Sequence, residues 1–397
     1  MQAINRFLTN HQYLLFVYIA LAVFASLQSY FGRLDSFVPG GHLYTHYNNY
    51  IIFKQSFFHL IHGQDLYAEF IEEQGDLFKY SPTFALVFGI LAILPDVVGL
   101  TLWNVLNAVV LFYAIEHLPR FTARTKGLIL VFVVVELLTA MQNEQSNALI
   151  AGLFLLMFGA LEKRNYWLAS FFLISTIYIK LFGIVALALY LLYPGKLKLT
   201  YTTAFWVLLF TLLPLIVVDS GQFVFLYKSW GNLLSNDHSI SDGLSVIGWL
   251  KSWFGWDGNK TYVSVAGAIL FCIPLLRIRQ YGDFTFRALF LASVMIWVVI
   301  FNHRAESPTF IIAAGGVAIW YYSQKQTTAN YVLLVLAFVF TTLAPTDIFP
   351  KFVRNEWFKP YVVKAVPCIL VWGKIWLDLM FGKLEEREEN PVAALQE

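Results

Sequence analysis

Three polar interruptions of an otherwise apolar chain carry the side chains that could do chemistry. The first is Met141-Gln142-Asn143-Glu144-Gln145-Ser146-Asn147, which sets a carboxylate and several amides between two apolar runs. Polar and ionisable groups at membrane depth are costly and commonly line a site or a pathway; a plain hairpin turn would have the same composition. The second is Lys180, the only charge between Tyr166 and Tyr193. It either snorkels to the interface or supplies a cation for a phosphate. The third is Asn302-His303-Arg304-Ala305-Glu306-Ser307-Pro308. Its charges could form a local ion pair and nothing more; alternatively Arg304 clamps a phosphate and His303 donates to the same group. A further loop, Asn236 to Gly243, holds His238, Ser239 and two aspartates of the sort that grip sugar hydroxyls, or are simply solvated.

Other enzyme templates fail. There is no glycine-rich phosphate loop, no Cys or His set at zinc spacing and no Gly-x-Ser-x-Gly elbow. No metal or cofactor is therefore expected. Cys272 and Cys368 each sit in an apolar run and are expected to be small buried hydrophobes. The net charge of +2 points to no nucleic-acid partner.

The elements that must position these residues are helices in a membrane. The chain is 58% hydrophobic, only 13% charged, and its mean hydropathy is +0.64, whereas soluble domains carry roughly 25% charged residues. About a dozen apolar segments follow one another with no low-complexity linker, which predicts one polytopic all-α membrane domain over 1–382 and a charged tail over 383–397. Placing Arg120, Arg124, Lys126, Lys163, Arg164, Lys196 and Lys198 in the cytoplasm leaves 33–81, 141–146, 219–260, 302–307 and 345–360 outside. The apolar segments between Arg164 and Lys196 are then too short to cross lipid twice, since each crossing needs about 20 residues. Short helices are tolerable where water or protein lies beyond their tips. That implies a water-filled cavity open to the outer face, with Gln142–Asn147 and Lys180 at its floor.

The first outer loop predicts an amphipathic helix lying in the membrane interface. From Tyr50, the residues Phe53, Phe57, Phe58 and Ile61 fall on one side and Asn48, Gln55, His59 and His62 on the other.

In their order these motifs resemble the family-87 glycosyltransferases of the GT-C fold class, which use polyprenyl-phosphate sugars. The resemblance rests on Asn49-Tyr50 ahead of the amphipathic helix, Gly63-Gln64-Asp65-Leu66-Tyr67, Tyr80-Ser81-Pro82, Trp103 to Asn107, and Glu144-Gln145-Ser146-Asn147. Lys180, Asn236 to Ser239, and His303 to Pro308 complete it. It covers roughly residues 12–325. It implies a GT-C-like bundle of about 12 transmembrane helices in a cell membrane, of the bacterial inner-membrane kind, with its active site on the outer face. The implied reaction moves a hexose, typically mannose, from the lipid-linked donor to a hydroxyl of a glycolipid, glycan or protein, with inversion and without metal. Lys180, His303 and Arg304 would meet the donor phosphate. Asp65, Tyr80, Gln145, Asn147, Asn236, His238 and Ser239 would meet sugar or acceptor. The family's aspartate base falls on Asn49, and an amide takes no proton at neutral pH. Either another carboxylate is then the base (Glu144, Glu306 or Asp65, with Glu144 foremost), or the motif register at Asn49 is shifted, or this member is not a conventional transferase. A lipid-linked saccharide transporter would show two related halves, and a surface-polysaccharide polymerase or ligase a late outer loop; neither pattern is evident.

Overall fold

The computed structural model describes residues 2–36, 41–236 and 242–382. Among them the chain is helical throughout, and its one β feature is an isolated bridge between Asp35 and Tyr44. In chain order the helices are α1 (Gln2–Thr9), α2 (His11–Tyr30), α3 (Asn48–Ile61), α4 (Pro82–Ala92), α5 (Asp96–Glu116), α6 (Ala123–Met141), α7 (Asn147–Glu162), α8 (Tyr166–Ile179) and α9 (Gly183–Ala186). They continue as α10 (Lys196–Leu212), α11 (Ser220–Ser235), α12 (Val246–Phe254), α13 (Lys260–Cys272), α14 (Phe284–Ile300), α15 (Phe310–Tyr322), α16 (Thr328–Leu336), α17 (Lys351–Val353) and α18 (Val366–Phe381).

Among the described residues, three stretches are long and apolar enough to cross a bilayer: His11–Tyr30, Asp96–Glu116 and Lys196–Ile216, the last being α10 with a 3₁₀ turn added. Several shorter apolar helices accompany them. The outer side of α10 leaves Phe205, Leu208, Leu212 and Ile216 exposed, which water would penalise and lipid does not. The protein is therefore an all-helical membrane protein. The short pair expected between Arg164 and Lys196 is present: α8 has 14 residues, about 21 Å at 1.5 Å per residue, and α9 runs on only through a 3₁₀ helix to Leu192, against a hydrocarbon core of about 30 Å.

The chain forms two compact units. The first comprises residues 1–130, 137–184 and 195–240, and the second residues 131–136, 185–194 and 241–397. In the first, α5 packs on α2 and α7, α7 on α8, and α8 on α10. Asparagine, serine and threonine caps start α2, α4, α6 and α8, each accepting a first-turn N–H.

The loop helix α3 is where its periodicity places it, but its environment differs from the expectation. It packs on α4 through Tyr50, Phe53 and Leu60, and Phe53 meets the rings of Phe84, Phe88 and Trp103 edge-on. Gly99 permits this approach, because a Cβ there would stand 2.0 Å from the Tyr50 hydroxyl oxygen. His59, expected on the polar open side, is buried: its ring stacks on Phe70 at 3.7 Å and its Nε2 meets Glu73 at 2.9 Å. Ile61, on the expected apolar side, is exposed. The segment Gly63 to Gln74 folds back over α3 and covers the histidine.

In the second unit α14, α15 and α18 pack together, with α16 against α15 and α18. Cys368 is buried there as expected. Cys272 is not: it lies exposed on an apolar patch of α13 and the following turn, among Val265, Ile269 and Leu276.

Candidate active site

In the first unit the expected polar run becomes an elbow joining α6 to α7. Met141 ends one helix, Asn147 begins the other, and Glu144 takes a left-handed φ of 48° to turn the chain between them. The elbow is held from below by α5. Trp103 Nε1 donates to the Glu144 carbonyl at 2.8 Å, Asn104 donates to the Met141 carbonyl at 3.2 Å, and Asn107 accepts the Leu149 N–H at 2.9 Å. The Trp-x-x-x-Asn spacing thus has a mechanical cause, since residues three and four apart share one helix face. Asn104, between the two motif residues, is a third support that the sequence reading missed.

Lys180 follows α8 and reaches this elbow. Its Nζ donates to Gln145 Oε1 at 3.0 Å and to Asn147 Oδ1 at 2.9 Å. It also lies 5.7 Å from the ring centre of Tyr80, within cation–π range. Lys180, Gln145, Asn147 and Tyr80 therefore come together as one cluster. Two buried donors in it have no hydrogen-bond partner among the described residues, Ser146 Oγ and Asn147 Nδ2. Both stand at the N-terminus of α7, where the helix dipole and unsatisfied backbone N–H groups favour an anion. A cation, two unmet donors and a helix N-terminus are thus gathered at one place, an arrangement whose chemistry suits a negatively charged group.

Glu144 does not point into that cluster. Its side chain is 1% exposed, it accepts the Ser29 hydroxyl at 2.7 Å, and burial pushes its carboxyl up to about 8. Asn49 sits at the start of α3 with its Nδ2 on the Asn143 carbonyl at 2.9 Å, which places the substituted position against the elbow. Asp65 is half-buried and accepts from Ser229 Oγ, 2.9 Å from each carboxylate oxygen, and from the Tyr67 N–H at 3.1 Å. Tyr67 in turn donates its hydroxyl to the Tyr80 carbonyl at 3.0 Å, linking the Asp65 loop to the tyrosine beside Lys180. Asn236, at the end of α11, is exposed. His238 and Ser239 lie outside the described residues.

The remaining candidates belong to the second unit. Loop 302–307 is clasped to the residues before α12: Leu244 N–H donates to the Ala305 carbonyl at 2.8 Å. Gly243 has a φ of 58°, and a Cβ on it would meet the His303 carbonyl oxygen at 2.5 Å. Asp242 holds Lys260 and Lys251 at 2.8 and 3.0 Å, and those lysines keep its carboxyl below the usual range. Burial lowers the pKa of His303, helped by the charge of Lys260, so its imidazole is neutral at neutral pH and one ring nitrogen can accept. Glu306 is exposed; Arg304 is partly buried, its backbone N–H on Asn302 Oδ1 at 2.9 Å. Lys180 thus belongs to one unit and His303 and Arg304 to the other.

A buried ion pair in the second unit escaped the sequence reading. Lys364 Nζ lies 2.8 and 3.0 Å from the two oxygens of Glu136 and 2.9 Å from Ser307 Oγ. The partners are separated by more than two hundred residues, and each sits inside an apolar run that gave no sign of the other.

A family model described as glycosyltransferase family 87 matches residues 78–301. No curated protein matches the chain.

Proposed function

This chain belongs to glycosyltransferase family 87, a membrane enzyme that needs a sugar donor and an acceptor, and from that premise we propose how the elbow serves transfer. The donor is a hexose, mannose foremost, on a polyprenyl phosphate, and its phosphate sits at the N-terminus of α7. The observation that carries this reading is the cluster of Lys180 with the two unmet donors, Ser146 Oγ and Asn147 Nδ2. No cytoplasmic loop is long enough to form a nucleotide-sugar domain, which favours a donor delivered within the lipid.

In this reading an acceptor hydroxyl of a glycolipid, glycan or protein attacks the anomeric carbon opposite the phosphate. The new C–O bond forms as the bond to phosphate oxygen breaks, giving inversion. The lipid phosphate leaves as an anion and needs no proton; Lys180 and the α7 N-terminus stabilise its growing charge. The acceptor's proton goes to a carboxylate. Glu144, buried and bonded to Ser29, shapes the elbow instead, and Asp65 is the base in its place, oriented by Ser229 and the Tyr67 N–H. Asn49 steadies the elbow through Asn143. No metal is used, and the reaction faces the outside of the cell membrane in keeping with the distribution of Lys and Arg.

Incubation of the purified protein with polyprenyl-phosphate hexoses and a membrane extract tests the proposal. Release of polyprenyl phosphate together with acceptor labelling supports it. A protein that binds donors yet consumes none would overturn it in favour of transport.

A further inference from the structure

The second unit contains a cavity of about 460 Å³ that the transfer reading does not use. Four of its lining residues are cationic: Lys351, Arg354, Lys359 and Lys364. Ser307 adds a hydroxyl, while Leu244, Ala344 and Phe358 supply an apolar wall. Apart from Ser307 and Leu244, the wall residues lie after residue 343, beyond the stretch that the family model matches.

The charges are unevenly compensated. Lys364 is held by Glu136, and Arg354 by Asp347 at 2.6 Å. Lys351 and Lys359 are exposed, and neither forms an ion pair among the described residues. Asn355, also in the wall, is neutral, so once the two pairs are cancelled the cavity keeps an excess of positive charge. Its walls hold a built polar site as well. Arg354 Nε is buried without a hydrogen-bond partner among the described residues, while the three N–H groups of Lys364 are taken by the two Glu136 oxygens and Ser307 Oγ. A buried guanidinium N–H left unmet costs free energy unless a ligand supplies an acceptor. Arginine and lysine together around a half-apolar hollow fit a compact, multivalent oxyanion with an apolar neighbour.

We propose that this cavity binds the phosphate ester of a lipid headgroup, with Arg354 Nε meeting a phosphate oxygen at its wall and Lys351 and Lys359 drawing the anion in. The apolar wall takes the first carbons of the attached chain. Two sources share that chemistry: the polyprenyl phosphate released by transfer and a bulk anionic phospholipid. The site stands without the transfer reading, because its test is a binding measurement.

Full-length protein in phosphatidylcholine nanodiscs is titrated separately with inorganic phosphate, dihexanoyl phosphatidic acid and a short-chain polyprenyl monophosphate, and bound ligand is counted by native mass spectrometry. The expected result is saturable binding of at least one lipid phosphate, with inorganic phosphate weaker. The tighter of the two lipids names the source. The exposed-lysine variant Lys351→Gln/Lys359→Gln, which leaves both ion pairs intact, should weaken binding about tenfold or more, as loss of about 1.4 kcal/mol requires. Arg354→Lys, which keeps the charge and removes the fork, should weaken it as well. Absence of saturable lipid-phosphate binding, or unchanged binding in both variants, overturns the proposal. Activity plays no part in either readout, so failure of the site and failure of the transfer reading are distinguishable.

Discussion

Replacing Lys364 by methionine removes the cation that, among the described residues, pairs with a wholly buried carboxylate. Glu136 is 0% exposed and both its oxygens lie within 3.0 Å of Lys364 Nζ. Unpairing a buried ion typically costs about 3–5 kcal/mol, because the remaining charge keeps its desolvation penalty and loses its partner. The Ser307 hydroxyl also loses its donor, which adds about 1 kcal/mol. Lys364→Met should therefore lower stability by roughly 4–6 kcal/mol, a large fraction of the 5–15 kcal/mol that domains usually have. Removing both charges behaves differently: Glu136→Leu with Lys364→Met fills similar volume without ions, and such replacements are often neutral or stabilising. The assay is a double-mutant cycle on unfolding of the purified protein in one detergent, followed by tryptophan fluorescence. The coupling expected is at least about 2 kcal/mol, well above the few tenths seen for independent sites. Additive losses in the double variant would refute the reasoning and mean that the two groups do not depend on each other.

Further outcomes follow from the elbow. Trp103→Phe keeps the ring contacts with Phe53 and Phe88 but deletes the bond to the Glu144 carbonyl, and should cost about 1 kcal/mol in unfolding free energy with a rise in KM; an unchanged KM would show that the elbow is held elsewhere. Asp65→Asn should lower kcat by about 10²–10⁴-fold with donor binding retained, whereas Glu144→Gln should leave turnover within a few-fold of wild type; the reverse pattern would return the base to Glu144. The same Glu144 gives a pH signature. Its carboxyl titrates near 8 in the folded chain and in the ordinary carboxylate range when unfolded. Between those values the folded state holds a proton that the unfolded state has lost, so stability is fullest in acid and falls as pH rises through about 8. Glu144→Gln should flatten that fall in a series of melting points, and a slope unchanged by the substitution would contradict the assignment.

How far the site could be read from sequence depended on whether its parts were local. The elbow was legible because Gln145 and Asn147 stand in one short polar run, and Lys180 because a lone charge in an apolar stretch needs a partner. Family membership followed from the order of such motifs. The hidden parts are pairings across distance. Nothing near Glu136 or Lys364 points to the other, and each is a lone charge in an apolar run. The burial of His59 was missed for a similar reason: helical periodicity assigns sides, while the cover over the second side comes from the segment after Gly63. Glu144 lies in the turn that the polar run marks, and its side chain is drawn to Ser29 of α2, more than a hundred residues earlier, which no local pattern shows. Lipid gives the sequence little contrast between inside and outside, which is why Cys272 was expected to be buried.

The most direct test of the account is single-turnover transfer from a polyprenyl-phosphate hexose by wild type, Lys180→Met and Lys180→Arg, with donor affinity measured in parallel. The account predicts that Lys180→Met loses about 10²–10³-fold in rate while the folded yield is kept, and that Lys180→Arg recovers part of it. Transfer at the wild-type rate in Lys180→Met would contradict the claim that the leaving phosphate is stabilised at the N-terminus of α7.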